Sequence, residues 1–555
     1  MQLNGAQIIV EVLLEQGVDT VFGYPGGAVL NIYDALYQYS DRIRHIMTAH
    51  EQGASHAADG YSRSTGKTGV VIATSGPGAT NLVTGIATAY MDSIPMVAIT
   101  GNVAMSLLGR DSFQEVDITG ITMPVTKHNF IIKDIRDLAP TLRQAFEIAN
   151  SGRKGPVLVD VPKDMTAAVT EYVRQAAAVP YPNRPLKEER VQEAIECLRN
   201  AKKPFIYAGG GVVSAGASQE LVQLAEKMQV PVACSLMGLG GFPHDHPLFA
   251  GFVGMHGTFE ANKAIDACDV LLVAGARFSD RVAGNREKFA ANAKIIQIDI
   301  DSAEIDKNVT TTMHVTGDLK EVLGKLEQAL GPVTHHEWLG QVNEWKKEDD
   351  TPIQEETIRA KDVIECVNEL VGDDAVIATD VGQHQMWVAQ HYHFNRPRSL
   401  CTSGGLGTMG YGMGAAIGAQ VGNPERRVVL FSGDGSFHMN LNELATLASY
   451  EIPVVVIVMN NQVLGMVRQW QKVFYESRFS STDPHRKTDF VRLAEAFGVT
   501  GMRMETPAQM RPVLEQAFSL GKPVVIDCRL SKDENVLPMI PPGGTVDDMI
   551  EAVDC

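Results

Sequence analysis

Asp434, within Gly433-Asp434-Gly435-Ser436, and Asn461, the second residue of the pair Asn460-Asn461, lie about one strand-helix-strand unit apart in the chain. The apolar, β-branched run IPVVVIVM leads into the Asn pair. This spacing predicts a crossover from the end of one parallel strand, through a helix, to the end of the next. Both side chains then stand at carboxyl ends of neighbouring strands, where open α/β sheets bind ligands. A carboxylate, an amide oxygen and a nearby backbone carbonyl are hard oxygen donors suited to Mg²⁺, which completes its octahedron with water and ligand phosphates. The pair therefore reads as an anchor for a diphosphate. Gly-Asp-Gly alone is more often an ordinary turn, and the Asn pair in register gives the metal reading its weight. A second candidate is Glu51 in His50-Glu51-Gln52-Gly53, which follows a strand-like run and opens a helical pattern. It is expected at a helix N-terminus facing the ligand end of its sheet, with a capping or surface role as the alternative.

The elements that must carry these residues alternate between strand-like and helical runs, the pattern of α/β doubly wound parallel sheets. With 555 residues, the chain is too long for one core and is expected to divide into about three or four domains. The first block offers the strands TVFGY, IRHIMTAH, GVVIATS, PMVAIT and PVLVDVP; the segment YPNRPLKEER then reads as a linker. KPFIYAGGG, PVACS, VLLVAGAR and KIIQIDID are the strands of a second block, whose polar exit THHEWLGQVNEWKKEDDTPIQ reads as another linker. AVIATD, VVLFSGDGS, PVVVIVMNN and PVVIDCRL belong to a third, and the first and third blocks share a strand-helix rhythm. The expected division is 1–170, 188–330, 358–540 and a tail at 541–555.

A net charge of −18 argues against nucleic acid as a partner. No run of about eighteen uncharged apolar residues is present to span a bilayer. The seven cysteines are scattered, without a CxxC pair, and no His cluster stands at zinc-ligand spacing. They read as reduced, packed thiols of a cytoplasmic protein. The N-terminus is an amphipathic helix pattern carrying Glu11 and Glu15, unlike a signal or transit peptide.

The HEQGA segment resembles the activating-glutamate motif of thiamine diphosphate (ThDP) enzymes, and GDG followed by a double Asn resembles their metal motif. FGYPGGAVLNIYDAL, TSGPGATNLVTGIATAYMDSIPMVAITG, FQEVDITGIT and KGPVLVDVPKDM extend the likeness in the first block, and TDVGQHQMW, SGGLGTMGYG, NNQVLGMVRQWQ and NVLPMIPPGG in the third. Together they are similar to the catalytic large subunits of acetohydroxyacid (acetolactate) synthases. The resemblance implies three doubly wound domains: a ThDP pyrimidine domain, a central FAD-binding domain and a diphosphate domain. It implies decarboxylation of pyruvate and condensation of the remaining two-carbon unit with pyruvate or 2-ketobutyrate. The products would be 2-acetolactate or 2-aceto-2-hydroxybutyrate, in valine, leucine and isoleucine biosynthesis.

Position by position, the resemblance gives Glu51 the hydrogen bond to the cofactor's pyrimidine nitrogen. Asp434, Asn461 and the Val463 carbonyl fall on Mg²⁺ positions. Val381, Gly382, Gln383, His384, Gly433, Gly435, Ser436 and Met466 fall on the diphosphate side. Met409 matches the apolar wedge between the cofactor rings, although a Met beside glycines is more often ordinary packing. Arg281 matches the receiver of the second substrate's carboxylate, and Trp470 a wall of its alkyl pocket; a solvated Arg and a core Trp are the competing readings. Gly27, Phe113, Gln114 and Lys163 fall on further active-site positions. A structural FAD would involve Arg153, Gly209, Gly210, His256, Gly257, Thr258, Gly275, Arg277, Asp299 and Asp318.

Two departures stand out. The family's RFDD reads Arg277-Phe278-Ser279-Asp280 here, and its GLPAA reads Gly412-Met413-Gly414-Ala415-Ala416. The first removes a carboxylate near Arg281; the second replaces Pro by Gly at an expected helix start and predicts lower local stability. The resemblance also implies a homodimer as the minimal unit, or a tetramer, and a separate regulatory small subunit. A flavin-free catabolic acetolactate synthase, a pyruvate oxidase and a catalytically silent binding subunit remain as alternatives.

Overall fold

The computed structural model describes residues 1–346 and 357–553. Three six-stranded sheets, parallel throughout, organise the chain. Counting strands along each sheet's own segment, the first and third sheets share the order 2-1-3-4-6-5, whereas the central one runs 3-2-1-4-5-6. The central order is that of dinucleotide-binding doubly wound sheets. The inner strands are nearly continuous apolar runs, such as Val428–Gly433 and Val455–Asn460, because helices cover both faces of a parallel sheet. A short antiparallel pair, Gln2–Asn4 with Val169–Glu171, closes the first domain.

The helix Glu51–Thr65 begins at an extended His50 (φ −152°) whose Nδ1 accepts from the Gln52 amide, and it ends at Gly66 in the left-handed region (φ +78°). Small residues at the crossing, Gly53, Ala57 and Gly60, let it meet the third domain's Gly412–Gly422 helix backbone to backbone. A Cβ on Gly60 would lie 2.1 Å from the Ala415 carbonyl oxygen, and one on Gly418 1.8 Å from that of Ala57.

The same contact explains the second departure. Gly414 is the third residue of its helix, not the first, and a Cβ there would stand 2.6 Å from the Gly53 carbonyl oxygen. A small residue fits this helix crossing, and the glycine is a packing requirement of the observed contact. The expected second linker also differs. Its opening forms the helix His336–Glu344, which buries Trp338 and Val342 against the central domain and directs the indole N–H to the Pro204 carbonyl at 2.8 Å. The rest of that segment, from 347, lies outside the described residues. Residues 173 to 187 have no regular structure, and the last three residues of the expected first linker, YPNRPLKEER, already belong to the helix Glu188–Arg199. Six cysteines among the described residues are free and buried.

Candidate active site

The Asp434 and Asn461 side chains follow two adjacent parallel strands, Val428–Gly433 and Val455–Asn460. Asp434 opens the helix Asp434–Asn440 and is buried; burial pushes its carboxyl up to about 6. Asn461 is held on both sides: its Nδ2 donates to Gln383 Oε1 (3.2 Å) and its Oδ1 accepts from the Val463 amide (3.2 Å). Gln383 donates to Gln469 and to the Glu534 carbonyl, both at 3.0 Å. Met466 packs at the edge of the same core. Gly465 leaves room for this arrangement, since a Cβ there would meet Gln383 Oε1 at 1.9 Å.

Val381 and Gly382 turn the chain into the helix Gln383–His391, and Ser436 Oγ donates to the Val381 carbonyl (3.1 Å). His384 is fully enclosed beside Gly433 and Gly382; burial lowers its imidazole to about 3, and its Nε2 has no hydrogen-bond partner within the protein. Nδ1 and Cε1 are the ring atoms that face these two glycines, and the unpartnered Nε2 is left to hydrogen-bond a group from outside the chain. The donors here, a carboxylate, an amide oxygen and a backbone turn, fit a hard cation with a diphosphate. Beside Asp434 a polar cavity of about 280 Å³ is lined by Arg486, Lys487, Arg503 and Arg529.

The loop carrying Met409 is fixed from three directions. Asp380 accepts from the amides of Val381 (2.9 Å), Gly410 (2.8 Å) and Gly412 (3.3 Å). Asp92 accepts from Gly404 and Gly405, and Thr408 Oγ1 pairs with Thr88 Oγ1 at 2.8 Å. The Met409 methyl consequently lies over the Gly435 position, 3.8 Å from an ideal Cβ there.

Glu51 is the first residue of its helix, and Asn81 Nδ2 donates to its Oε2 at 3.0 Å. Behind it, the buried Glu443 of the third domain accepts from the Ala49 and His50 amides, both at 3.1 Å. Gly27, Phe113 and Lys163 are exposed, Phe113 at 88%. Gln114 adopts a left-handed φ of +59° against Gly76.

The structure brings Arg281 and Trp470 together although one belongs to the central domain and the other to the third. The guanidinium lies over the indole ring, 5.9 Å from its centroid, and Trp470 in turn meets Phe474 edge-on at 5.3 Å. Arg281 also stands 3.9 Å from Asp280 and from the Met255 sulfur. Ser279 offers its carbonyl to the Val282 and Ala283 amides, so the turn forms with Ser in place of Asp. The tail folds back over the adjoining cavity, where Ile540 donates to the Met255 carbonyl (2.7 Å) and Pro541 and Val546 contribute walls.

In the central domain, Gly209 and Gly275 follow the first and fourth strands of the sheet, the pair between which the strand order reverses. Their backbones touch: a Cβ on Gly209 would lie 2.2 Å from the Gly275 carbonyl oxygen. Gly210 opens the short helix that follows. His256 is buried, held near 4, with Nδ1 unpartnered, while Gly257 and Thr258 continue the turn. Asp299 ends the fifth strand and is pushed up to about 6 by burial. The Arg277 carbonyl accepts from Asn308. Arg153 is engaged by Glu304 (2.7 Å), with Asp301 at 3.7 Å and Ser93 at 2.8 Å. Asp318 caps the helix Leu319–Ala329 through the Glu321 amide, a local role that the sequence reading did not assign it.

The sequence reading missed Asp380, Asp92, Glu443 and Gln469. Asp380 could have been found as a polar residue ending an apolar strand next to Val381. Asp92 and Glu443 gave no signal for these roles, since the Gly404, Gly405, Ala49 and His50 amides they hold lie more than 300 residues away in the chain.

Comparison with known proteins decides the family. The descriptions thiamine pyrophosphate enzyme N-terminal TPP binding domain, central domain and C-terminal TPP binding domain match residues 3–121, 191–326 and 380–528. The probable acetolactate synthase large subunit of Methanocaldococcus jannaschii is 46% identical over 99% of this chain and 96% of its own length. The chain belongs to the acetolactate synthase large subunits. Within that family it is 45% identical to the large subunit of Haemophilus influenzae, covering 99% of this chain and 98% of that one. It is 43% identical to the isozyme 2 large subunit of Escherichia coli K12, covering 99% and 100%. Thiamine diphosphate is the cofactor of the two matching terminal domains, and the three parallel sheets agree with the expected fold class.

Proposed function

We propose that the chain is an acetohydroxyacid synthase that decarboxylates one pyruvate and joins the remaining two-carbon unit to a second 2-ketoacid. The balance is one carbon-carbon bond broken, one CO₂ released and one carbon-carbon bond formed, with no net electrons passed to an acceptor. The cofactor, when bound, supplies the electron sink for decarboxylation. Glu51, fixed by its helix start and by Asn81, is suited to share a proton with a ring nitrogen. Asp434 and Asn461, with the Val463 carbonyl, would hold Mg²⁺, and His384 Nε2 and the Gly433–Ser436 turn would meet the diphosphate.

The observation that carries the reading is Arg281 over Trp470. A carboxylate receiver set beside an aromatic wall is what a second ketoacid needs: the guanidinium fork takes the shared carboxylate and the indole measures the alkyl group. FAD is proposed as structural, consistent with the central sheet's strand order and the unpartnered His256 Nδ1; Arg153 would then exchange its partner Glu304. A homodimer and a separate small subunit are part of the same proposal, the latter consistent with the relatives' description as large subunits. No helix among the described residues is long and apolar enough to cross a membrane.

The test is to purify the protein, record its flavin spectrum, and analyse products from pyruvate with and without 2-ketobutyrate. Acetolactate and acetohydroxybutyrate, with the flavin oxidised throughout, are expected. Flavin bleaching in step with acetate would make it an oxidase, and carboligation without bound flavin a catabolic synthase.

A further inference from the structure

The loops around His244 and His393 meet where the central domain touches the third. The first joins two neighbouring strands of the central sheet, Val232–Cys234 and Phe249–Phe252, and the second follows the helix Gln383–His391. Their backbones are pinned, the His244 amide to the Phe394 carbonyl at 3.3 Å and the Asp245 amide to Asn395 Oδ1 at 3.0 Å. The two imidazoles stack with centroids 3.9 Å apart and planes 24° from parallel. Both turn Nδ1 to the same oxygen: Asp245 Oδ1 lies 3.4 Å from His244 Nδ1 and 2.7 Å from His393 Nδ1. The other carboxylate oxygen, Oδ2, accepts from Asn395 Nδ2 at 2.6 Å, and that amide also reaches Asp373 (2.8 Å).

We propose that His244, Asp245 and His393 form a site for a borderline divalent cation of the Zn²⁺ class, which would staple the central domain to the third. One ligand atom from each of the three residues lies within 4.8 Å of the other two. Zinc held at about 2.0–2.1 Å by nitrogen and about 2.0–2.2 Å by oxygen spaces its tetrahedral ligands roughly 3.3 Å apart. The observed 2.7 and 3.4 Å bracket that spacing. Imidazole selects against Mg²⁺, so the site is distinct in chemistry from the oxygen donors around Asp434. Asn395 acts as a metal ligand's outer partner does, orienting the carboxylate through its second oxygen. His246 is outside the set, its Nε2 facing Glu226 at 3.2 Å and its Nδ1 accepting from Leu248. Asp245 is 58% exposed at its side chain, which leaves water access to a fourth position. The sequence concealed this cluster because His393 lies far along the chain from the other two residues.

The test titrates the holoenzyme, saturated with ThDP, Mg²⁺ and flavin, with Co²⁺ as an optical probe and with Zn²⁺ in thermal melts. Expected are one Co²⁺ per chain with the intense visible bands of a four-coordinate site, and a rise in melting temperature with Zn²⁺. Asp245→Asn and His393→Ala should each weaken binding at least ~10-fold and abolish the thermal shift, with acetolactate formation unchanged. Asp434→Ala should still bind. Absence of stoichiometric binding in wild type would overturn the proposal and leave a hydrogen-bonded His-Asp-His cluster. Binding that survives in His244→Ala and His393→Ala, or that disappears only in Asp434→Ala, would also overturn it. Asp245→Asn conserves side-chain shape, so the question stays answerable even if an alanine variant fails to fold.

Discussion

The carboxyl edges of the first and third sheets share one strand order yet are finished differently. On the third sheet, Asp434, Gln383, His384 and Asn461 are buried, and Gln383 is hydrogen-bonded to Asn461 and to Gln469 within the chain. On the first, Gly27, Phe113 and Lys163 stand exposed, and the Glu51 carboxylate is held by its helix start and by Asn81. The third-domain half is thus preorganised by its own fold, while the first-domain half presents a surface for another element. A second copy of the chain is the occupant we propose, since a two-fold pairing would set the exposed half of one chain against the finished half of the other.

The comparison breaks hardest at Glu51. Glu51→Gln is expected to fold and retain ThDP but to slow proton exchange at the cofactor C2 by ~10²- to 10⁴-fold, the usual contribution of a positioned acid-base group. Hydrogen-deuterium exchange measures that step directly, and an unchanged rate would remove Glu51 from the chemistry. Asp434→Ala should lose Mg²⁺-dependent ThDP retention by more than ~100-fold, with partial rescue at raised ThDP; wild-type affinity would place the metal elsewhere. Mixing these two inactive variants tests the division itself. If the halves of one site come from two chains, random dimers should recover about a quarter of wild-type activity, whereas no recovery would put both halves in one chain.

Trp470→Leu sharpens the acceptor side. It should shift a pyruvate/2-ketobutyrate competition towards acetolactate, by ~1–3 kcal/mol at most because the acceptors differ by one methylene. An unchanged product ratio would make Trp470 a packing residue only. The smallest effect concerns Glu534, whose carboxyl accepts from the Ala360 amide (2.9 Å) and is pushed up to about 7, first by burial. A carboxyl raised in the folded state lends stability that is complete below its unfolded pKa and lost as pH rises through about 7. Glu534→Gln should therefore flatten the fall in melting temperature between about pH 4.5 and pH 7. An unaltered slope would show that the carboxyl titrates normally.

The inner strands and the glycine turns at their ends were legible because both are local patterns, one of continuous apolar runs and the other of small residues that follow them. In the three six-stranded sheets five strands went unread, namely His128–Ile131, Phe249–Phe252, Met313–Thr316, Leu400–Cys401 and Thr500–Met504. Every one lies at the edge of its sheet. An edge strand pairs on one side only and needs no unbroken apolar run, so its sequence carries less signal. The site divides in the same way. Asp434 and Asn461 announce themselves by spacing, while Asp92 and Glu443, which fix the Met409 loop and the start of the Glu51 helix, act across more than 300 residues. Gly414 was expected at a helix start for the same reason, since the contact that suits a small residue at the helix's third position is made by Gly53 in another domain.

The fold-back of the tail makes one wall of the molecule separable from the rest. Ile540, Pro541 and Val546 wall the cavity beside Arg281, and backbone pairing holds them there, Ile540 to Met255 and Met539 to Ile550. A segment held by so few hydrogen bonds opens at a lower free energy than the core of a sheet. On warming, the cavity beside Arg281 therefore loses its outer wall while all three sheets are still intact.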